Sequence, residues 1–188
     1  MSRAIEIRVS ESVVRTVHVE DGVQSTLEVL PILPGDRMAD LLAAELEKQG
    51  FTRDGDTAKR TDPDGVEITV NLKDSTVSVK LGSSQVIKES GERKTMIDED
   101  FGKKSDAETS LKGKLVDDLE KKVEERTTAL RQKVTKQLED KLGDLKKELD
   151  TAISRTTVNA LTEKAQQLGQ IQETSSDEAG NVTIRVRL

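Results

Sequence analysis

Residues 111–153, LKGKLVDDLEKKVEERTTALRQKVTKQLEDKLGDLKKELDTAI, carry apolar side chains at steps of three and four positions, with Thr127 in the one vacant place. That spacing places these side chains on one face of an α-helix. Proline is absent between Ser105 and Gly169, so the pattern predicts a long helical segment over residues 105–169. The central apolar positions, which we expect to form an interaction surface as packing groups, are Leu119, Val123, Leu130, Val134, Leu138 and Leu142.

The end of the chain bears on how this helical segment is arranged. Residues 170–188 predict a turn followed by a strand, because Val182, Ile184 and Val186 alternate with polar residues. A single strand is not stable in water, and a straight helix over 105–169 would be about 97 Å long at 1.5 Å per residue. Either the helical segment folds back as a coiled-coil-like hairpin near Gly143 or Asp150, or the last strand pairs elsewhere. The hairpin is favoured, because it would return the strand to the N-terminal sheet.

Residues 1–82 alternate with period two in several separate runs, which predicts strands with one buried face. Asp21-Gly22 is typical of a hairpin turn between two of these strands. One helical pattern interrupts them after Pro34, with Asp36 as its expected cap and Gly50 as its end. The predicted fold class is therefore α+β, with a small antiparallel sheet and one packed helix in residues 1–82. Residues 83–104 are polar and contain Gly91 and Gly102, so we expect a linker there.

Composition limits the classes of function. The net charge is −6, 35% of the residues are charged, and the only aromatic residues are Phe51 and Phe101. Nucleic-acid binding normally uses an excess of basic residues and aromatic side chains on which bases stack. Both are missing, so nucleic acid is not expected as a partner. No apolar run reaches the roughly 20 residues that a membrane helix needs. Without a signal-peptide pattern or cysteine, the chain is expected in the cytoplasm, with no membrane insertion.

Candidate catalytic and metal-binding groups are few. His18 is the single histidine, and it lies on the face of its strand opposite Val17 and Val19, where a surface role is expected. The run GKKS at 102–105 fails the phosphate-loop pattern, because Ile97 replaces the first glycine and Lys104 replaces the Ser or Thr. The acidic residues around Asp62 and Asp98 are typical of turns and solvated charge runs. The sequence thus predicts no catalytic residue, metal or cofactor, and a protein that is not an enzyme.

The last part of the chain carries a resemblance to a known group of proteins. The run VNALTEKAQQLG at 158–169, a polar turn, and then GNVTIRVRL at 180–188 resemble the helix–strand ending of certain small bacterial and plastid proteins. Those are accessory proteins of unassigned activity that are associated with AAA+ ATPase systems. The resemblance implies an adaptor or regulatory role and transfers no functional residue.

Three hypotheses for function follow from the sequence. The first is a non-catalytic interaction or scaffold protein that assembles with itself or with a protein partner through the long amphipathic helical arm. The second is an adaptor or regulatory subunit of an AAA+ ATPase machine. The third, and least favoured, is an enzyme that uses carboxylates of the sheet module.

Overall fold

The computed structural model describes residues 4–98, 104–176 and 182–187. Within them five strands form an antiparallel sheet in the order β1-β5-β4-β3-β2, and two more strands, β6 and β7, pair with each other. The predicted α+β class is confirmed. In chain order the elements are β1 (Ala4–Thr26), α1 (Gly35–Lys48), β2 (Thr52–Asp54), β3 (Thr57–Thr61), β4 (Val66–Asn71), β5 (Thr76–Asp98), α2 (Lys104–Leu168), β6 (Gln170–Ser176) and β7 (Val182–Arg187).

The strands β3, β4 and β5 form a meander whose register follows the apolar alternation of the sequence. Ile68 lies opposite Val79, and Val70 lies opposite Val77. All four side chains are buried, whereas Glu67, which precedes Ile68, is exposed. Tight turns join these strands, and Gly65 adopts a φ of 83° that L side chains rarely adopt. One face of this part of the sheet is therefore apolar, as the sequence predicts.

Helix α1 begins at Gly35, two residues earlier than the predicted cap at Asp36 allows. Pro34 is the N-cap residue, and its carbonyl accepts a hydrogen bond from the Met38 amide at 3.0 Å. Asp36 lies inside the first turn, so its predicted capping role is wrong; its charge there still favours the positive end of the helix dipole. The predicted end at Gly50 is confirmed by a φ of 86°, and the amide of buried Phe51 donates to the Leu46 carbonyl at 3.1 Å.

Strand β1 continues without a break through Asp21-Gly22, so the predicted hairpin turn there is wrong. The glycine serves a different purpose, which is the close approach of two neighbouring strands. A Cβ at Gly22 would lie only 3.0 Å from the Val79 carbonyl oxygen. Strand interiors use glycine at such places because no side chain is available to collide with the next backbone.

The predicted linker over residues 83–104 is also wrong where the structure describes it. Residues 83–98 belong to β5, and α2 begins at Lys104, while 99–103 lie outside the described residues. Inward and outward positions still alternate along this strand, but polar side chains occupy some of the inward positions. Glu89 is buried in this strand beside buried Ile87, and a charged residue at an inward position hides the apolar pattern from sequence reading.

The predicted helical hairpin is wrong, because α2 is one helix of 65 residues that contains both Gly143 and Asp150. A glycine inside a helix costs only about 1 kcal/mol relative to alanine, which is too little to break a helix with a packed face. The return of the last strand to the N-terminal sheet is wrong as well. Strand β7 pairs with β6, a segment that we expected to be a turn, so the strand finds its partner locally.

The chain divides into two compact units. The first unit contains residues 1–20 and 82–136, and its core cluster consists of Val13, Ile87, Leu115, Leu119 and Val123. The second unit contains residues 21–81 and 137–188, with a cluster in which Ala160 of α2 packs against Leu33 and Met38. Whether residues 1–82 fold as a module of their own stays a prediction.

Candidate functional site

The six predicted interaction residues lie on the face of α2 that the protein largely uses for itself. Leu119 and Val123 belong to the core cluster of the first unit. Val134 and Leu138 are also buried, and Val134 is only 1% exposed. Leu130 and Leu142 are half-buried. Four of the six side chains are thus covered within the chain itself, and a role of the remaining two in binding a partner stays a prediction.

In the first unit, ion pairs attach α2 to the long strands. Glu89 of β5 is 9% exposed, and its Oε1 lies 2.6 Å from Nε of Arg126 on the helix. A similar pair joins Glu11 of β1 to Lys112 at 2.7 Å. Such pairs at the border of an apolar cluster fix which residues of the helix face the strands, because a shifted register would leave a buried charge without its partner.

In the second unit, the most buried carboxylate is Glu45 of α1, which is 3% exposed. Its Oε1 accepts hydrogen bonds from Lys48 Nζ at 2.6 Å and from Asn159 Nδ2 at 2.9 Å. Because Asn159 belongs to α2, this carboxylate links the two helices. A buried carboxylate with a cation and an amide donor is fully consistent with a structural role.

Arg60 of β3 makes a second connection within this unit. Its guanidinium lies 2.7 Å from the Glu148 carboxylate of α2, 3.0 Å from Asp62, and 4.7 Å above the centre of the Phe51 ring. The Arg60 Nη1 also donates to the Gln49 carbonyl at 2.9 Å. One planar cation therefore ties the end of α1 to α2.

Two exposed pairs add to these contacts. Lys141 Nζ lies 2.5 Å from Asp64, and the hydrogen bond to that carboxylate, together with its charge, raises the pKa of Lys141 above 10.5. The pKa of Arg37 is raised in the same way by Glu163, whose carboxylate lies 2.9 Å from Arg37 Nη2. Both cations stay charged at neutral pH.

The second unit contains a groove of about 690 Å³. Apolar side chains of α2 and of the strands β1 and β5 form most of its lining, and Glu28, Lys146 and Asp150 also line it. Its apolar lining residues are Val23, Leu27, Val77, Val79, Leu142, Leu145, Leu149 and Ile153. Sequence reasoning found Leu142 but missed the groove, because strand residues and helix residues far apart in the chain create it.

The remaining candidates are easily placed. His18 is exposed, as expected, and its Nδ1 lies 2.8 Å from Ser84 Oγ. Among residues 4–98, 104–176 and 182–187, no group of three or more His, Cys, Asp or Glu side chains is arranged to hold a metal ion. In that same part of the chain, neither helix is long and apolar enough to cross a membrane. Of the GKKS run, Gly102 and Lys103 lie outside the described residues.

These features define an α+β protein in which a long helix is fixed to its strands by apolar clusters and ion pairs. The chain belongs to the family described as FtsH ternary system domain X5, whose model matches residues 1–188. That family name agrees with the association with AAA+ systems that the C-terminal resemblance implies. A search of the curated proteins and a search of the solved structures each gave no significant match.

Proposed function

We propose that this protein is a non-catalytic adaptor or regulatory subunit of an FtsH-type AAA+ system. The observation that carries the proposal is the match of one FtsH ternary system family over residues 1–188. Because the match extends over both compact units, the role is proposed for the chain as a whole and not for one segment of it.

The placement of the charged residues supports a binding role. Glu45 and Glu89, the most buried carboxylates of the described residues, are each held by a cation, and both attach α2 to another element. An acid–base catalyst instead needs a carboxylate directed to a substrate. We therefore rank an adaptor above a carboxylate enzyme.

The burial of α2 determines the order of the two remaining hypotheses. Assembly through a free helical arm requires an exposed apolar stripe, and Leu119, Val134 and Leu138 are buried within the chain. An adaptor needs only one surface for the ATPase and one for a client, both of which a folded protein offers without releasing its helix. Self-association is retained as the second candidate, because Leu130 and Leu142 are half-buried.

The test is recovery of partners from the native source with the tagged full-length chain, in the presence of ATP and in the presence of ADP. We expect mass spectrometry to identify an FtsH-type AAA+ ATPase, with recovery that depends on the nucleotide. The tag alone is the control for unspecific capture. Recovery of the bait without any AAA+ ATPase in either nucleotide would contradict the proposal.

A further inference from the structure

The last residues of β1 have an exposure pattern that the rest of the strand does not share. Residues 22–26 are all exposed, whereas the longest exposed run before them is residues 14–16 and the other positions alternate. Val23 has the inward parity of buried Val19 and Leu27, and yet it is 44% exposed. The neighbouring strand is covered here, since Val79 is buried. An apolar position on the inward face of the sheet is thus left open.

The open position lies in the groove of the second unit. Leu145 and Leu149 of α2 line it together with Val23, and the volume of about 690 Å³ lies within the range of about 300–1,000 Å³ that is usual for ligand sites. Two carboxylates, Glu28 and Asp150, and one ammonium group, Lys146, also line it. The groove therefore combines apolar walls with a small excess of negative charge.

At the groove, β1 also has backbone hydrogen-bonding groups that do not face β5. β1 is the terminal strand of its sheet. The Leu27 amide donates to the Ser75 carbonyl at 2.6 Å, which fixes the residues of that parity as those that face β5. Gln24 and Thr26, of the other parity, direct their amides and carbonyls away from β5. In agreement with this, the Gly22 amide donates to its own neighbour, Asp21 Oδ1, at 2.8 Å.

We infer that this edge of β1 binds an extended polypeptide segment of a protein partner by strand addition, with an apolar side chain of that segment placed in the groove beside Val23. An open strand edge matches an extended backbone, and the groove beside it supplies a pocket for alternate side chains. A small apolar molecule would leave the edge of Gln24 and Thr26 unused. The excess of carboxylates favours a segment with lysine or arginine next to its apolar residues.

This inference deepens the proposed function and rests on it for the choice of a polypeptide as the ligand. The probe is a fluorescein-labelled peptide that alternates valine and threonine between terminal lysines, and binding to the full-length chain is measured by fluorescence anisotropy. Gln24→Pro removes an outward amide without removing a bond to β5, and we expect it to weaken binding about tenfold. The matched control, Gln24→Ala, keeps the amide and should bind like the wild type.

A second variant tests the groove independently of the strand edge. Val23→Asn places a polar side chain among apolar walls at a half-exposed position that tolerates it, without a change of charge, and we expect a similar loss of peptide binding. Val14→Asn, at another exposed valine of β1 that lies outside the groove, is the control and should leave binding unchanged. Circular dichroism of every variant establishes that the fold is retained.

The outcomes separate this inference from the proposed function. A wild-type protein that does not bind the peptide, or variants that all bind it equally, would overturn the groove assignment. A wild-type dimer that Val23→Asn converts to a monomer would also overturn it, because a second copy would then occupy the groove. If an AAA+ ATPase is recovered with nucleotide dependence in those cases, the proposed function stands without the groove. Groove-dependent peptide binding without any ATPase would contradict the proposed function alone.

Discussion

Glu89 illustrates how one charged residue can hold an element in place. Its carboxylate is buried in β5 and is compensated by Arg126, which approaches from α2 at 2.6 Å and is itself largely exposed. The guanidinium of Arg126 is accessible to water, whereas the carboxylate of Glu89 is not. Removing the arginine therefore costs more than removing an ordinary surface cation, because a buried carboxylate remains without its partner.

We expect Arg126→Ala to lower the free energy of unfolding by about 1–3 kcal/mol. Arg131→Ala, on an exposed position of the same helix, is the matched control and should change stability by less than about 0.5 kcal/mol. Urea unfolding followed by circular dichroism measures both values. Adding Glu89→Leu to Arg126→Ala should restore part of the lost stability. Equal effects of the two arginine substitutions would contradict the assigned role of the pair.

The Lys141–Asp64 pair predicts a pH dependence of a definite sign. The folded protein raises the pKa of Lys141 above 10.5 through its hydrogen bond to Asp64. A cation with a raised pKa stabilises the fold fully below the unfolded pKa, and that contribution disappears as the pH rises through the folded value. The difference in urea stability between wild type and Lys141→Gln should thus be constant around neutral pH and shrink above a pH of about 10.5. A difference that already shrinks near neutral pH would contradict this origin.

At the scale of elements, α2 and the C-terminal hairpin depend on glycines in opposite ways. Gly143 lies inside α2 with open space where a Cβ would stand. Gly169 lies between α2 and β6, and a Cβ there would overlap the carbonyl of Arg187 on β7. The same substitution at the two positions therefore tests two different elements.

Gly143→Ala should raise the free energy of unfolding by up to about 1 kcal/mol, because alanine favours the helix and meets no neighbour. Gly169→Ala should separate β7 from the end of α2, which hydrogen exchange would detect as lost protection of the β7 amides. Both variants are compared with the wild type by urea unfolding and hydrogen exchange. A loss of stability in Gly143→Ala would indicate a turn at that position instead of a continuous helix.

The sequence predicted these elements unevenly, and the reasons are physical. Helix α1 and strand β4 could be predicted because their apolar residues follow a single period. Gly50 marks the end of the helix, and Gly65 marks the start of the strand. The second half of β5 was missed because Glu89 and other polar residues occupy inward positions of the strand. The single helix was not predicted because the C-terminal strand seemed to need a partner in the N-terminal sheet, which only a helical hairpin could reach. That strand instead pairs with β6, which directly follows the helix. The groove depends on tertiary contacts that no local pattern encodes.

At the scale of the whole molecule, the main question is whether the apolar stripe of α2 is the core of one chain or a seam between chains. Leu119 packs with Val13 and Ile87 of the strands, so the stripe has an internal role where that cluster forms. In an assembly through a free arm, the same side chains would instead contact another molecule. The two arrangements predict opposite consequences of a charge placed on the stripe.

Val134 is the position that separates these two arrangements, because it is 1% exposed in a single chain. Val134→Asp places an unpaired carboxylate in that environment, and we expect it to lower the free energy of unfolding by about 3 kcal/mol or more. Val14→Asp, at a valine that is 52% exposed, is the control and should change stability by less than about 0.5 kcal/mol. Urea unfolding and sedimentation equilibrium are measured on both variants. If Val134→Asp unfolds like the wild type but loses an oligomer that the wild type forms, the stripe is a seam between chains. A large loss of stability instead makes α2 a structural part of each chain and leaves the surfaces outside the stripe for the proposed AAA+ partner.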